Sequence, residues 1–143
     1  MAVTQLSVFL ENKPGRLAET VRALKEHNIN IRALSLADTK DFGILRLIVS
    51  DTAQAKAVLS ASSVVMTTDV LALRMDDKSG ALSDILQVFE RENINVEYMY
   101  AFTGSDAGSA YVVLRVDRVE PSEAALKAAG IAVLSNDELT AAL

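Results

Sequence analysis

The residues with the clearest chemical capacity in this sequence lie in a glycine-containing turn, "ENKPGRL", at positions 11–17. Asn12 can donate and accept hydrogen bonds through its amide group, and Gly15 permits backbone angles that other residues avoid. The turn leads into a predicted helix, whose first backbone N–H groups lack partners within the helix and favour an anion. The pattern therefore predicts either a turn that binds a small polar molecule or a turn whose glycine serves only the backbone.

A second turn, "DDKSGAL" at positions 76–82, keeps the lysine, the glycine and the leucine of the first. Asp77 stands where the first turn has Asn12. An ionised carboxylate only accepts hydrogen bonds, so Asp77 suits a cation and repels an anion. We therefore expect two unequal sites, with the better one at the first turn.

Catalytic chemistry has little support in this sequence. It contains no cysteine and one histidine, His27, which falls at a predicted helix end. The acid pairs Asp76–Asp77 and Asp137–Glu138 fall in predicted loops with no base, nucleophile or metal ligand beside them in sequence. Neither a P-loop nor a dinucleotide-binding motif is present. We expect a protein that is not an enzyme and that uses no metal and no cofactor.

Charge and hydropathy limit the partners. The net charge is -5 and the isoelectric point is near 4.8, which disfavours binding to nucleic acid or to an anionic membrane surface. No apolar run approaches the roughly 20 residues that span a bilayer. The first residues have no basic segment before their apolar run, as a signal peptide would. These features predict a cytoplasmic protein with no nucleic-acid or membrane partner.

The two turns belong to an internal duplication. A shift of 65 residues aligns the segment around the first turn with the segment around the second without a gap, and it matches the tripeptide Asn28–Asn30 with Asn93–Asn95. Each half predicts strand, helix, strand, strand, helix, strand, which is the split βαβ pattern of ferredoxin-like folds. The predicted fold is α+β, with two such domains, 1–68 and 69–143, joined by a short linker at Thr68–Asp69.

Hydrophobic periodicity places the elements. The predicted strands are 3–10, 30–37, 43–50 and 64–67 in the first half, and 70–75, 95–102, 109–116 and 131–134 in the second. The predicted helices are 16–27, 52–60, 81–92 and 122–129, the last following Pro121 and ending at Gly130. Hairpin turns are predicted in "ADTKDFG" and "TGSDAGS". Antiparallel sheets with helices on one face follow from this order.

Two predicted helices should cover their sheets with an apolar stripe. The stripe residues are Leu17, Val21 and Leu24 in the first helix and Leu82, Ile85, Leu86 and Phe89 in the second. Asn28 and Asn93 fall where these helices must end, and asparagine is the usual substitute for glycine in the left-handed terminal residue.

The stretch "NVEYMYAF" is the most aromatic in the chain. Strand alternation predicts Val96, Tyr98, Tyr100 and Phe102 on one face, with Glu97, Met99 and Ala101 on the other. The rings either fill an interface between domains or subunits, or Tyr98 or Tyr100 shapes a ligand pocket.

The order of elements, with "ENKPGRL" before "HNINI" and "DDKSGAL" before "ENINV", resembles the ACT domain, a small regulatory module that binds amino acids. The resemblance covers nearly the whole chain as two tandem copies. The second copy is also similar to the small regulatory subunits of acetolactate synthase, and the first is nearer to the serine-binding module of phosphoglycerate dehydrogenase.

The resemblance implies a site and a function. ACT domains pair, and the ligand lies between two of them, held by the turn after the first strand and by the start of the second strand. It implies a non-catalytic regulatory protein that binds a free amino acid, signals to an enzyme of amino-acid metabolism and forms a homodimer. The alternative is a structural or interaction subunit of a biosynthetic enzyme with no ligand of its own. The implied ligand-binding residues are Asn12, Pro14, Gly15, Arg16, Leu17, Asn30, Asp77, Ser79, Gly80, Ala81, Leu82 and Asn95. Asn30 and Asn95 can equally bond the neighbouring turn.

Overall fold

The computed structural model describes residues 2–38, 41–104 and 106–143. The chain divides into two compact units, which we name the first unit, Thr4–Thr68, and the second unit, Asp69–Leu143 together with the start of the chain up to Val3. The elements, in chain order, are β1 (Val3–Glu11), α1 (Arg16–Glu26), β2 (Ile31–Asp38), β3 (Phe42–Val49), α2 (Thr52–Leu59), β4 (Val64–Asp76), α3 (Ala81–Arg91), β5 (Val96–Thr103), β6 (Ser109–Val116), α4 (Val119–Ala128), β7 (Ala132–Leu134) and α5 (Asn136–Ala142).

In the first unit, β3 lies between β1 and β2 and pairs antiparallel with both. Leu47 is the residue that shows the register, because it lies opposite Leu6 of β1 and opposite Leu34 of β2. The core joins β1 and β3 to both helices through Leu6, Val8, Leu24, Leu45, Leu47 and Leu59. The predicted α+β fold with antiparallel strands is confirmed.

The second unit repeats this arrangement. Strand β6 pairs antiparallel with β4 and β5, and β4 also pairs antiparallel with β7. Its core is formed mainly by Leu71, Leu73, Ile85, Phe89, Leu114 and Leu126.

Helix α5 follows β7 and was not predicted. Asp137 and Glu138 lie in its first turn rather than in a loop, and Ser135 caps it in a reciprocal capping box with Glu138. A Cβ at Gly104 would lie 2.3 Å from the Tyr111 ring and 3.0 Å from the Ala142 carbonyl oxygen. The end of α5 therefore lies close to Gly104, just after β5.

The helix ends follow the predicted backbone rules. Asn28 and Asn93 have positive φ angles of 56° and 54°, which confirms that they terminate α1 and α3 in the left-handed region. Gly130, with a φ of 78°, ends α4 as predicted. The predicted start of α4 at Ser122 is wrong, because the helix begins at Val119. Pro121 lies in its first turn, where a backbone N–H has no partner within the helix.

The predicted apolar stripes are only partly correct. Helix α1 buries Thr20 and Leu24, whereas Leu17 and Val21 are 39% and 36% exposed. Thr20 can be buried because its hydroxyl donates to the carbonyl oxygen of Arg16 at 3.1 Å. In α3 the buried residues are Ala81, Ile85, Val88 and Phe89, whereas Leu86 is 36% exposed and Leu82 is half-buried.

The predicted linker at Thr68–Asp69 is wrong, because both residues lie within the thirteen-residue strand β4. The two strands predicted at 64–67 and 70–75 are parts of this one strand. The Asp69 carbonyl oxygen accepts a hydrogen bond from Arg115 Nη1 at 2.8 Å.

The predicted face of β5 is also partly wrong. Its pairing with β6 shifts register between Val96 and Tyr98, so Val96 packs against the core together with Met99. Phe102 stacks on Tyr111, with ring centroids 5.9 Å apart. The two predicted hairpin turns include Thr39, Lys40 and Ser105, which lie outside the described residues.

Candidate functional site

The two glycine turns have the same backbone geometry. Gly15 has φ 89° and ψ -18°, Gly80 has φ 91° and ψ -17°, and each immediately precedes a helix. A Cβ at either glycine would meet no atom within 4 Å in the described chain. The glycines are therefore explained by the left-handed backbone and not by close packing.

Backbone hydrogen bonds inside the two turns also match. Lys13 N donates to the Glu11 oxygen at 2.8 Å, and Lys78 N donates to the Asp76 oxygen at 2.9 Å. The first helical amides, those of Arg16 and Ala81, donate back into the turn to the Lys13 and Lys78 oxygens, each at 3.3 Å. Neither helix has a side-chain cap at its start. An anion at the first turn would thus meet the amides of Leu17 and Ala18 rather than that of Arg16.

The turn lysines pair with nearby carboxylates. Lys13 Nζ lies 3.0 Å from Glu11 Oε2, and Lys78 Nζ lies 3.6 Å from Asp76 Oδ2. The hydrogen bond and charge of Lys13, with a further contribution from Arg16, hold the pKa of Glu11 below its ordinary value. Glu11 is therefore an ionised group at the edge of the first turn at neutral pH.

Asn12 and Asp77 occupy the same position in their turns. The backbone amide of Asn12 donates to the Asp41 oxygen at 3.1 Å, and that of Asp77 donates to the Gly108 oxygen at 2.9 Å. Both residues are exposed. Their backbones are thus anchored to the start of the neighbouring strand, while their side chains face solvent.

Asn30 and Asn95 bond the neighbouring turn. Asn30 N donates to Ser50 Oγ at 2.9 Å, and Ser50 N donates back to the Asn30 oxygen at 2.9 Å. Asn95 and Asp117 exchange the corresponding pair of bonds at 3.1 and 3.2 Å. These bonds use the backbone N and O atoms of Asn30 and Asn95, so they do not require an asparagine side chain, and both residues are exposed to solvent.

The predicted site residues of the first unit do not all meet. Asn12 is anchored just before β3 and Asn30 just after it. At about 3.3 Å per residue, a strand of this length separates its ends by roughly 25 Å. Asn12 and Asn30 of one unit therefore cannot contact the same small ligand. The same argument separates Asp77 from Asn95 across β6.

The remaining predicted residues surround the turns. Pro14 and Ser79 are exposed within them, Leu17 is exposed on α1 and Leu82 is half-buried on α3. The structure thus brings the turn residues together in each unit and leaves the second-strand asparagines apart from them.

A cleft of about 430 Å³ opens beside the first turn, and we name it cleft 1. It lies between the end of β1, the start of α1 and the connection from α2 to β4, with one residue from the start of β3. Its lining is Phe9, Leu10, Glu11, Arg16, Glu19, Thr20, Phe42, Ser62, Ser63 and Val64. Of the residues predicted for the site, only Arg16 is among them.

The second unit has a cleft at the equivalent place, with a volume of about 480 Å³, which we name cleft 2. It is lined by Arg74, Met75, Asp76, Lys78, Ala81, Asp84, Ile85, Gly130, Ile131 and Ala132. Six of its residues are related to residues of cleft 1 by the 65-residue shift of the duplication. Each unit therefore has a cleft at the equivalent position, and the two clefts are lined by different side chains.

Sequence reasoning missed most of the cleft 1 residues. Arg16 Nη1 lies 3.1 Å from Glu19 Oε2, and the i, i+3 spacing of this pair on a predicted helix was a signal available in advance. Phe42 follows a hairpin tip, and no sequence pattern marks it as part of a cleft that begins thirty residues earlier.

The described ranges contain neither a membrane-spanning helix nor a cluster of metal ligands. Within them no helix is both long enough and apolar enough to cross a membrane. In the same ranges no three histidine, cysteine or acidic side chains are grouped as a metal ion would require.

Known proteins share this architecture. A Bacteroides thetaiotaomicron protein of known crystal structure matches with a TM-score of 0.91 and 38% sequence identity over 97% of this chain and 96% of that one. The aspartate kinase regulatory subunit of Thermus thermophilus matches with a TM-score of 0.66 and 18% identity, covering 89% of this chain and 90% of that one. The corresponding Thermus flavus subunit gives a TM-score of 0.63 and 17% identity with the same coverage. At these identities the two Thermus subunits share the fold alone.

No curated protein sequence matches the chain significantly. The family model described as an ACT domain pair matches residues 1–142. This match, the identity with the Bacteroides protein and the duplicated βαββαβ order agree with one another. The chain therefore belongs to the ACT domain pair family.

Proposed function

We propose that this protein is a non-catalytic regulator that binds a free amino acid at the first glycine turn and signals its presence to a partner enzyme. The observation that carries the proposal is the pair of matching turns, each with a left-handed glycine and a helix start that has no side-chain cap, in a chain of the ACT domain pair family. That family is regulatory rather than catalytic.

The first turn has groups for both charged ends of an amino acid. The amides of Leu17 and Ala18 at the uncapped helix start suit the carboxylate, because the helix dipole adds to their hydrogen bonds. The Asn12 side chain is exposed at the same turn and its carbonyl oxygen can accept from the ammonium. In the second turn Asp77 accepts from an ammonium but repels a carboxylate, so we propose that the first turn binds more tightly.

The second-strand asparagine must come from another ACT domain. Asn30 lies at the far end of β3 from Asn12, so the Asn30 of the same unit cannot complete the site. We therefore propose that Asn30 and Asn95 contact a ligand only when that ligand is bound at the glycine turn of a different domain.

The partner and the assembly belong to the same proposal. A regulatory subunit of aspartate kinase shares this fold, and by analogy we propose an enzyme of amino-acid metabolism as the partner. From the resemblance of the second half's sequence alone, we also propose acetolactate synthase as an enzyme class to test. A homodimer and a cytoplasmic location complete the proposal; light scattering after gel filtration tests the first and cell fractionation the second.

Calorimetric titration of the pure protein with each of the twenty amino acids tests ligand binding. A hydrogen bond to a charged group is worth about 1.5–3 kcal/mol, so we expect Asn12→Ala to weaken binding by roughly tenfold or more. Asp77→Ala is the matched control and should change the affinity less. Absence of binding at millimolar concentrations, or the reverse ranking of the two variants, would contradict the proposal.

One observation favours the alternative, a structural or interaction subunit without a ligand. The backbone groups of Asn12 and Asn30 already serve the fold through Asp41 and Ser50. Under this alternative, an enzyme co-purifies in stoichiometric amount and is regulated equally by the natural protein and by the Asn12→Ala and Asn30→Ala variants. Loss of regulation in either variant would exclude it.

A further inference from the structure

We infer that the amino acid bound by the first unit carries a large apolar side chain, which lies in cleft 1 against Phe9, Phe42 and Val64. This inference rests on the proposed function and names the ligand class for the same turn. It also assigns a role in specificity to residues outside the turn.

Three apolar side chains form one wall of cleft 1. Phe42 is 50% exposed and Val64 is 66% exposed, while Phe9 is half-buried between them in the sheet. An apolar ligand group placed against them would remove apolar surface from water on both sides, which is favourable. A polar side chain in contact with these three apolar side chains would lose hydration, and none of the three offers it a hydrogen bond.

The lining of cleft 1 also carries both signs of charge. Arg16 and Glu19 form an exposed ion pair at 3.1 Å, and such exposed pairs exchange readily for other partners. Glu11 borders the same cleft. A guanidinium beside two carboxylates suits a zwitterion, whose carboxylate and ammonium are fixed at one end of the molecule. The cleft therefore joins a zwitterion-binding rim to an apolar wall, which is the chemistry of an amino acid with an apolar side chain.

Cleft 2 keeps apolar residues, among them Met75, Ile85 and Ile131, but it has other residues where cleft 1 has Phe9 and Phe42. Arg74 occupies the position of Phe9 in the duplication, and it donates to Ser109 Oγ at 3.1 Å. Ser109 lies opposite Asp76 in the same way that Phe42 lies opposite Glu11. Ala132 lies opposite Arg74 and provides only a methyl group. We therefore expect the preference for an apolar side chain to be stronger in the first unit than in the second.

Calorimetric titration of the full chain with leucine, phenylalanine, alanine and serine tests the inference. We expect leucine or phenylalanine to bind at least tenfold more tightly than serine. Phe42→Ser should reduce that preference at least fivefold while changing the affinity for serine by less than twofold. Ser109→Ala, at the equivalent position of the second unit, is the matched control and should leave the preference unchanged.

Val64→Thr is a second variant, which keeps a β-branched side chain in the strand and adds a hydroxyl group to the apolar wall. Circular dichroism checks that each variant folds. If none of the amino acids binds to the natural protein, both the proposed function and this inference are overturned. If amino acids bind but the apolar ones have no advantage, or if Phe42→Ser and Val64→Thr leave the preference unchanged, the proposed function stands and this inference fails.

Discussion

Glu11 and Lys13 set the charge at the edge of the first turn. The Lys13 Nζ atom lies 3.0 Å from the carboxylate, on side chains that are about half to two-thirds exposed. The hydrogen bond and charge of Lys13 lower the pKa of Glu11, and the charge of Arg16 lowers it further. The carboxylate beside cleft 1 therefore stays ionised to a lower pH than an isolated glutamate.

Lys13→Gln should raise the pKa of Glu11 towards its ordinary value, because the lysine is the main cause of the shift. A depressed carboxyl pKa stabilises the folded state above the unfolded-state pKa, and this contribution is lost as the pH falls through the folded pKa. In the variant the folded and unfolded pKa values of Glu11 lie closer together, so both the stability that Glu11 contributes above the unfolded-state pKa and its loss at acid pH should be smaller. A carbon-detected NMR titration of the Glu11 carboxyl measures the pKa, and Lys25→Gln, at the other end of α1, is the control. An unchanged Glu11 pKa in Lys13→Gln would contradict this account.

Residue types predicted the backbone dihedral angles of the turns and helix ends better than they predicted contacts between residues that are distant in sequence. A positive φ strongly restricts which residues fit, so Gly15, Asn28 and Asn93 could be assigned from the sequence. Asn30 has no such restriction, and its bond to Ser50 depends on a residue twenty positions away. Phe42 illustrates the same limit, because only the β1–β3 register brings it beside Glu11.

Helices α1 and α3 show how each element meets its sheet. Leu24 is 1% exposed, whereas Val21, one turn earlier, is 36% exposed. Phe89 and Leu86 have the same relation in α3, with 2% and 36% exposure. The buried face of each helix is therefore rotated away from the most hydrophobic stripe, so Val21 and Leu86 contribute less to the core than their residue types suggest.

Leu24→Ala should lower the free energy of unfolding by about 2–5 kcal/mol, since it removes a buried side chain and leaves a cavity. Val21→Ala should cost less than about 1 kcal/mol, because surface substitutions have small effects and alanine favours the helix. Urea unfolding followed by circular dichroism measures both values. Equal losses for the two variants would show that Val21 belongs to the core after all.

The sequence patterns did not predict the buried face of α1, the helix α5 or the full length of strand β4. The apolar pattern does not include Thr20, yet its hydroxyl donates to the Arg16 carbonyl oxygen and the residue is buried. The sequence of α5 did contain a signal, because Ser135 and Glu138 have the spacing of a capping box. The polar pair Thr68–Asp69 suggested a linker, yet strand β4 runs through it.

At the scale of the whole molecule, duplication has preserved the backbone and changed the chemistry. The turns agree in their φ angles and hydrogen bonds. The clefts beside them differ, because Arg74 lines cleft 2 where Phe9 lines cleft 1. Under the proposed function, this pattern predicts one tighter site and one weaker or differently selective site. The fold and the turns could be predicted from the sequence, because they depend on local residue preferences repeated twice.

Because β4 is continuous through Thr68 and Asp69, an insertion between these residues should disturb the strand. Residues on both sides of this point are fixed by packing, since Val65 packs on the core of the first unit and Leu71 lies in the core of the second. Leu71 to Asp76 also have defined partners on β6. A flexible linker would tolerate added residues here, whereas a continuous strand would not.

Inserting two glycines between Thr68 and Asp69 should lower the free energy of unfolding by about 1–2 kcal/mol, because each glycine in a strand costs about 0.5–1 kcal/mol. The same insertion after Ser60, in the exposed turn that follows α2, is the control. Lengthening a surface loop costs little, about 0.6 kcal/mol for each doubling of its length. Urea unfolding of both variants gives the comparison. If the insertion in β4 is tolerated as well as the one after Ser60, the strand does not contribute to stability at this point and the segment behaves as a linker.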